Sequence, residues 1–229
     1  MKERWRFSLI AELETAFHTL GPGRTLPLID RALQVDVQGN PMIPASSVRG
    51  RIRAHLERLL RATKQPVCCP PRPERMCPHA GVVTDVEDPY CLACHIFGSP
   101  WRDSAVFFQD LHLVDAARGS ETVLAQRVGV GINRWLGSAQ EQRLYFTETT
   151  SGGGLRFSGD GEGWLTREEM GWFLAALSMV RHLGGDKARG LGRVRLSVEN
   201  LARWSEADGQ WVLQDPKELL GEVIADATS

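Results

Sequence analysis

The sequence predicts an α+β protein with a modified ferredoxin-like core (βαββαβ), a cysteine-rich insertion and a protruding hairpin. Two observations carry that prediction. Segments with a period of two and segments with a period near 3.6 follow one another as strand, helix, strand, strand, helix, strand, which is this topology with two large insertions. At 229 residues, with 42% hydrophobic and 24% charged residues, the chain suits one elaborated globular domain.

In "RWRFSLIAELE", Trp5, Phe7, Leu9, Ala11 and Leu13 share one face at period two, the mark of a half-buried strand. Residues 18–42 are rich in Gly and Pro and read as a loop. A helix is expected from about 47 to 63, with Val48, Ile52, Leu56, Leu59 and Leu60 on one face and Ser46 or Ser47 as its N-cap. The cysteine insertion occupies roughly 64–100. "AVFFQDLHLV" (105–114) is the second strand and "RLYFTET" (143–149) the third, followed by a turn-rich "SGGG". Thr166 and Glu169 match a capping box for a helix over 167–182, with Trp172, Phe173, Ala176, Leu177 and Val180 inward. "GRVRLSVE" is the last core strand, with Val194, Leu196 and Val198 inward, and "ARWSEADGQWVL" a hairpin turning at Asp208-Gly209. The expected organisation is one domain over 1–200, then a hairpin and acidic tail over 201–229.

The net charge of −1 gives no whole-chain argument for nucleic acid. The distribution is more informative. Arg49, Arg51, Arg53, Arg58, Arg61 and Lys64 crowd one segment against Glu57 alone, and three of these arginines open a helix. A helix N-terminus disfavours cations, so an anion is expected there. The N-terminal segment lacks a signal-peptide core and no window approaches a membrane span. Five cysteines between 68 and 94 do not resemble a secreted disulfide framework. The expectation is a cytoplasmic protein with a metal site.

Cys91 and Cys94 form a CxxC knuckle, and Cys77 with Cys69 (or Cys68 in its place) completes a four-thiolate set suited to structural Zn²⁺. His79 and His95 are possible substitutes. The proline-rich insertion has little apolar material of its own, so a metal is a means of ordering it. The glycine loop "LGGDKARGLGRVRL" runs from a helix into a strand, whereas dinucleotide and P-loop motifs run from a strand into a helix. A nucleotide cofactor is therefore not expected, but Lys187, Arg189 and Arg193 suit a polyanion such as an RNA backbone. A tight turn explains the glycines equally well. In "QRVGVGINRWLGSAQEQRLYF", Arg134 beside Trp135 suits stacking on a displaced base, against the plainer alternative of a core tryptophan.

"NPMIPASSVRGRIR", "CLACHIFGSPW" with "AVFFQDLHL", "GINRWLGSA" and "GGDKARGLGRVRL", in that order, resemble the RAMP superfamily, and more narrowly the backbone subunits of type III CRISPR effector complexes. The resemblance implies a modified RNA-recognition-motif core that stacks with other effector subunits in a filament on a CRISPR guide RNA. It implies a thumb hairpin, here about 120–142 with Arg134 and Trp135 near its tip, that kinks the guide–target duplex. It assigns guide contact to Ser46, Ser47, Arg49, Arg51 and Arg53 at the helix start, where phosphate would be the missing anion. His18, in "AFHTLGPG", matches a loop implied in RNA contact or catalytic support. Asp30 aligns with the catalytic aspartate of members that cleave complementary target RNA with Mg²⁺ or Mn²⁺, leaving 2′,3′-cyclic phosphate; Asp36 is the second choice. The long cysteine insertion places the chain nearer the zinc-knuckle branches. Ala45 stands where the family pattern has glycine.

Three alternatives stand beside that reading: a non-catalytic guide-RNA scaffold of the same complex, a guide-processing ribonuclease, and a zinc-stabilised protein-interaction module outside RNA altogether. No membrane partner is expected.

Overall fold

The structure, a computed structural model, describes residues 1–21, 27–79, 81–85, 87–114 and 124–228, with side chains to 223. In chain order its elements are β1 (Glu3–Leu13), β2 (Met42–Ile43), α1 (Ala45–Ala62), α2 (Leu92–Phe97), β3 (Val106–Phe108), β4 (Leu111–Val114), β5 (Leu124–Asn133), β6 (Ser138–Thr150), β7 (Arg156–Leu165), α3 (Arg167–Ser178), β8 (Val194–Ser205), β9 (Gln210–Leu213) and α4 (Pro216–Thr228). The main sheet runs β2-β4-β7-β1-β8-β9, with β3 also on β7, while β5 and β6 pair only with each other. Taken as β1, α1, β3/β4, β7, α3 and β8, this is the expected βαββαβ order.

β1 is central because both flanks pair along it, from Glu3↔Leu165 to Glu12↔Arg156 on one side and from Trp5↔Arg203 to Leu13↔Val194 on the other. Trp5, Phe7, Leu9, Ala11 and Leu13 are all buried, as their alternation requires. Val48, Ile52, Leu56 and Leu60 of α1 and Met170, Phe173, Ala176 and Leu177 of α3 complete the core. Phe173 is a meeting point: its ring lies 5.5 Å from Phe7, 5.9 Å from Phe108 and 6.3 Å from Phe97. Sheet, α3 and the cysteine insertion therefore share one aromatic cluster.

Several expected boundaries are corrected. The third core strand is β7, not "RLYFTET", which lies in β6. Gly159, Gly161 and Gly163 alternate along β7, and glycine is a poor advertisement for a strand. Their reason is steric: a Cβ on Gly161 would stand 2.4 Å from the Phe7 ring. The second strand is split at Gln109 and Asp110. α1 begins at Ala45 with Pro44 in the N-cap position, and no serine side chain caps it. Asp110 does that work, its carboxylate accepting the Ala45 N–H at 2.7 Å.

The capping box of α3 forms both ways, Glu169 N–H to Thr166 Oγ1 at 3.1 Å and Thr166 N–H to Glu169 Oε2 at 2.7 Å. α3 ends at Ser178, four residues before the expected end at 182. The β8–β9 turn carries Gly209 at φ +60. α4 was not anticipated from the acidic tail; it buries Leu219 and Val223 and pairs Glu222 with Arg167 at 2.7 Å.

Gly161→Ala is expected to destabilise the fold by about 1–3 kcal/mol through overpacking. Gly221→Ala, in an exposed helical position with open space around it, is expected to be neutral or stabilising by up to about 1 kcal/mol. Urea denaturation of the two variants checks the contrast, and equal stabilities would refute the packing explanation.

Candidate functional site

β5 and β6 form a long antiparallel arm, registered from Leu124↔Thr150 to Asn133↔Ser138. The described arm spans 124–150; residues 120–123 of the expected thumb lie outside the described residues. At its tip the Asn133 side-chain oxygen accepts the N–H groups of Trp135 and Leu136 at 3.0 and 3.3 Å, which fixes a tight turn. Trp135 is 97% exposed, so it is not a core residue. Arg134 beside it is also exposed.

Where the arm meets the core, Thr147, Glu148, Thr149 and Thr150 are buried despite their polarity. The loop after β1 provides partners for Thr150 and Glu148, while the Thr149 hydroxyl donates to Thr150 O at 3.0 Å and Thr147 Oγ1 is buried with no partner among the described residues. Thr150 N–H donates to Phe17 O at 2.9 Å, Phe17 N–H to Thr150 Oγ1 at 2.8 Å, Glu148 N–H to Arg31 O at 2.9 Å, and Leu33 N–H to Glu148 Oε2 at 3.0 Å. Asp30 is exposed at this junction. Its Oδ2 accepts the Phe146 N–H at 2.7 Å and its own N–H donates to Phe146 O at 3.1 Å. The carboxylate is thus anchored to the arm yet open to solvent.

The loop between α3 and β8 closes the site. Arg31 Nη1 pairs with Asp186 Oδ2 at 2.9 Å, and Arg189 Nη1 donates to the Tyr145 hydroxyl at 2.6 Å. Arg127, Val128, Tyr145, Thr147, Asp186 and Arg189 line a cleft of about 380 Å³ between arm and loop. The loop's glycines answer mainly to packing: Cβ atoms on Gly184 and Gly192, both at positive φ, would stand 2.1 and 2.0 Å from the His18 and Leu183 carbonyl oxygens. Lys187 and Arg189 are carried outward on the short turn between them.

His18 is 1% exposed, which corrects the expectation that its ring touches RNA. Its Nδ1 lies 2.7 Å from Glu148 O, and a carbonyl can only accept, so Nδ1 carries the proton. Nε2 is left as a buried acceptor with no hydrogen-bond partner. Burial, ahead of the neighbouring Arg31 charge, holds the imidazole below its ordinary value. His18 therefore pins the arm base rather than lining the surface.

Two of the α1 arginines face the insertion. Arg49 Nη2 donates to Phe97 O, and Arg53 donates to Gly98 O at 2.8 Å and Glu57 Oε1 at 3.0 Å. Burial and then the Arg53 charge pull Arg49 below the usual arginine value. Arg193 is paired with Glu14 at 2.6 Å. Ser46 is exposed, Ser47 and Arg51 half-buried.

The thiols of Cys68, Cys77, Cys91 and Cys94 all lie within 4.8 Å of one another and all four residues are buried. Cys69 is exposed, so the structure corrects its inclusion in the set and puts Cys68 there. His95 is held between Asp88 and Glu169, at 3.3 and 3.6 Å, rather than in the sulfur cluster. The donor set fits a tetrahedral thiophilic ion. Burial pushes Cys77 up to about 12, while hydrogen bonding from Cys68 and then Cys94 draws Cys91 far down and the same sharing drives Cys94 up. A divalent ion held by all four sulfurs would favour their thiolate forms.

A protein-family model, that of the RAMP superfamily, matches residues 16–195. The chain belongs to the RAMP superfamily. No curated protein matches it. Membership implies a CRISPR-associated RNA-binding subunit, in a superfamily that includes RNA-processing members. The match spans the β1 loop with His18 and Asp30, the α1 arginines, the cysteine cluster, the arm and the glycine loop. The four buried cysteines of this RAMP protein could bind a structural metal such as zinc. Among the described residues no helix is long and apolar enough to cross a membrane. Arg31, Tyr145, Glu148, Asp186 and Asp110 escaped the sequence reading; the run of polar residues ending an otherwise strand-like "RLYFTETT" was the available signal.

Cys68→Ser is expected to abolish stoichiometric zinc binding and Cys69→Ser to preserve it, as read by metal content after gel filtration. The reverse would invert the ligand assignment. His18 also predicts a pH dependence. Its folded-state value lies below 6.5, so the unfolded chain takes up the proton more readily. The stability it contributes is full above about pH 6.5 and is lost as pH falls below it. His18→Gln should flatten the fall in stability between about pH 7 and 5, and an unchanged slope would contradict the buried neutral ring.

Proposed function

We propose that this chain is a backbone subunit of a type III CRISPR effector complex, which binds guide RNA and cleaves complementary target RNA at the base of its arm. The observation that carries the proposal is Asp30: an exposed carboxylate fixed at 2.7 Å to the arm backbone at Phe146, whose neighbours Tyr145 and Thr147 line a cleft with Arg189. Arg134 and Trp135 at the tip suit displacement of a base from the duplex, which the family resemblance assigns to the thumb. Lys187 and Arg189 suit backbone phosphate. The uncovered face of the main sheet is less suited to RNA. A cleft of about 720 Å³ there includes Asp160 and Glu162, and Arg4 and Arg6 already cover Trp164 and Trp211.

In the mechanism, the arm tip opens the duplex so that the ribose 2′-hydroxyl lines up with the adjacent phosphorus. The 2′-oxygen bonds to phosphorus as the 5′-oxygen leaves, giving 2′,3′-cyclic phosphate and 5′-hydroxyl ends. Asp30 would provide one carboxylate ligand for a Mg²⁺ or Mn²⁺, which when bound would neutralise charge at the reacting phosphate. Arg189, held by the Tyr145 hydroxyl, positions the phosphate. A scaffold without catalysis is the second reading, favoured by the Phe146 N–H bond, which gives the Asp30 carboxylate a structural use of its own.

In the assembled complex, Asp30→Ala is expected to lower target cleavage by at least about 100-fold with guide binding intact. Unchanged cleavage at this subunit's position would leave only the scaffold, and 3′-hydroxyl product ends would refute the mechanism. Arg189→Ala should reduce the salt dependence of RNA binding by about one phosphate's worth, seen as a shallower slope of log affinity against log salt.

A further inference from the structure

We propose that Arg53 is the charge-compensating positioning residue of the four-cysteine centre rather than an RNA contact. Four thiolates around a divalent ion carry a net −2, and Cys68, Cys77, Cys91 and Cys94 are each at most 2% exposed. A buried charge is costly unless paired and hydrogen-bonded. Arg53 Nη2 lies 3.7 Å from Cys94 Sγ, donating toward it. The Cys91 N–H donates to Cys77 Sγ at 3.3 Å, a neutral donor serving the other side of the cluster.

All three nitrogens of the guanidinium are committed. Nε holds Glu57 Oε1 at 3.0 Å, Nη1 holds Gly98 O at 2.8 Å, and Nη2 faces the sulfur. Glu57 lies four residues on along α1 and is braced by Arg61 at 3.7 Å, so the fork is aimed before any metal arrives. With its side chain only 20% exposed, Arg53 has little left to offer a phosphate. One turn earlier, Arg49 grips Phe97 O, so both arginines clamp the end of α2, the helix that carries Cys94. Arg61 reaches the Cys68 carbonyl oxygen at 3.5 Å rather than a sulfur, and His95, beside Cys94 in sequence, is turned to Asp88 and Glu169.

The test uses the full chain. Zinc affinity is measured by competition with a chromophoric chelator, and the Co²⁺-substituted protein is read by its thiolate-to-metal charge-transfer and ligand-field bands. Arg53→Met is expected to weaken zinc binding by about 10- to 100-fold and to shift the Co²⁺ spectrum. Arg53→Lys, which keeps the charge but not the fork, should fall between Arg53→Met and the parent. Arg58→Met, on the same helix, should match the parent. Zinc-saturated Arg53→Met should bind guide RNA as the parent does. Unchanged zinc affinity and Co²⁺ spectra would overturn the proposal, whether or not RNA binding is lost. If Arg53→Met does not fold, the same readouts on Arg53→Lys decide. The metal readouts need no RNA, so their outcome is independent of whether the chain is a nuclease or a scaffold.

Discussion

Four consecutive polar residues, Thr147 to Thr150, are buried where the arm joins the core, and the placement of the site depends on how they are satisfied. A buried donor or acceptor left without a partner costs about 1–3 kcal/mol, and the β1 loop laid along this run avoids that cost for Glu148 and Thr150, though Thr147 Oγ1 stays unpartnered among the described residues. That loop supplies the Phe17 and Arg31 carbonyls and the Phe17 and Leu33 N–H groups, and His18 closes the set through Glu148 O. Asp30 and Arg31 are held at the arm base as a result. Arg31 then reaches Asp186, which fixes the glycine loop against the same junction. Three segments far apart in sequence converge because one polar stretch has to be hydrogen-bonded.

α1 plays the corresponding part on the other side of the molecule. Its apolar face packs into the core, its N-terminus is capped by Asp110, and Arg49 and Arg53 bind the end of α2. The arginines crowding the start of a helix, unfavourable on dipole grounds alone, are accounted for by an acidic cap and by carbonyls that accept from them. The Phe173 cluster adds an apolar bond between the same insertion and the sheet. The cysteine centre is therefore built into the domain rather than appended to it.

Much of this was legible in the chain. The alternation of β1, the capping box at Thr166 and Glu169 and the Asp208-Gly209 turn each carry a local signal that the structure reproduces, because local sterics and hydrogen bonds decide them. β7 was hidden because three of its inward positions are glycines, Gly161 making room for Phe7 and Gly159 and Gly163 for the backbone at Asp110 and Ala105, a tertiary requirement no window of sequence displays. β6 was mistaken for a core strand because its buried end pairs with a loop. Cys68 and Cys69 are adjacent and chemically identical; which of them faces inward depends on the path of the backbone, not on spacing. Asp110 was invisible as a cap because it lies 65 residues from the helix it serves.

The proposed path of RNA follows the arm, its base and the glycine loop, not the open sheet. The measurement that tests it most directly is photo-crosslinking of 4-thiouridine-substituted guide and target RNA to the assembled complex, with adducts located by mass spectrometry. The account predicts adducts at Trp135, Tyr145 and the Lys187–Arg189 turn. Adducts confined to Arg4, Trp164 and Trp211 on the open face of the sheet would contradict it.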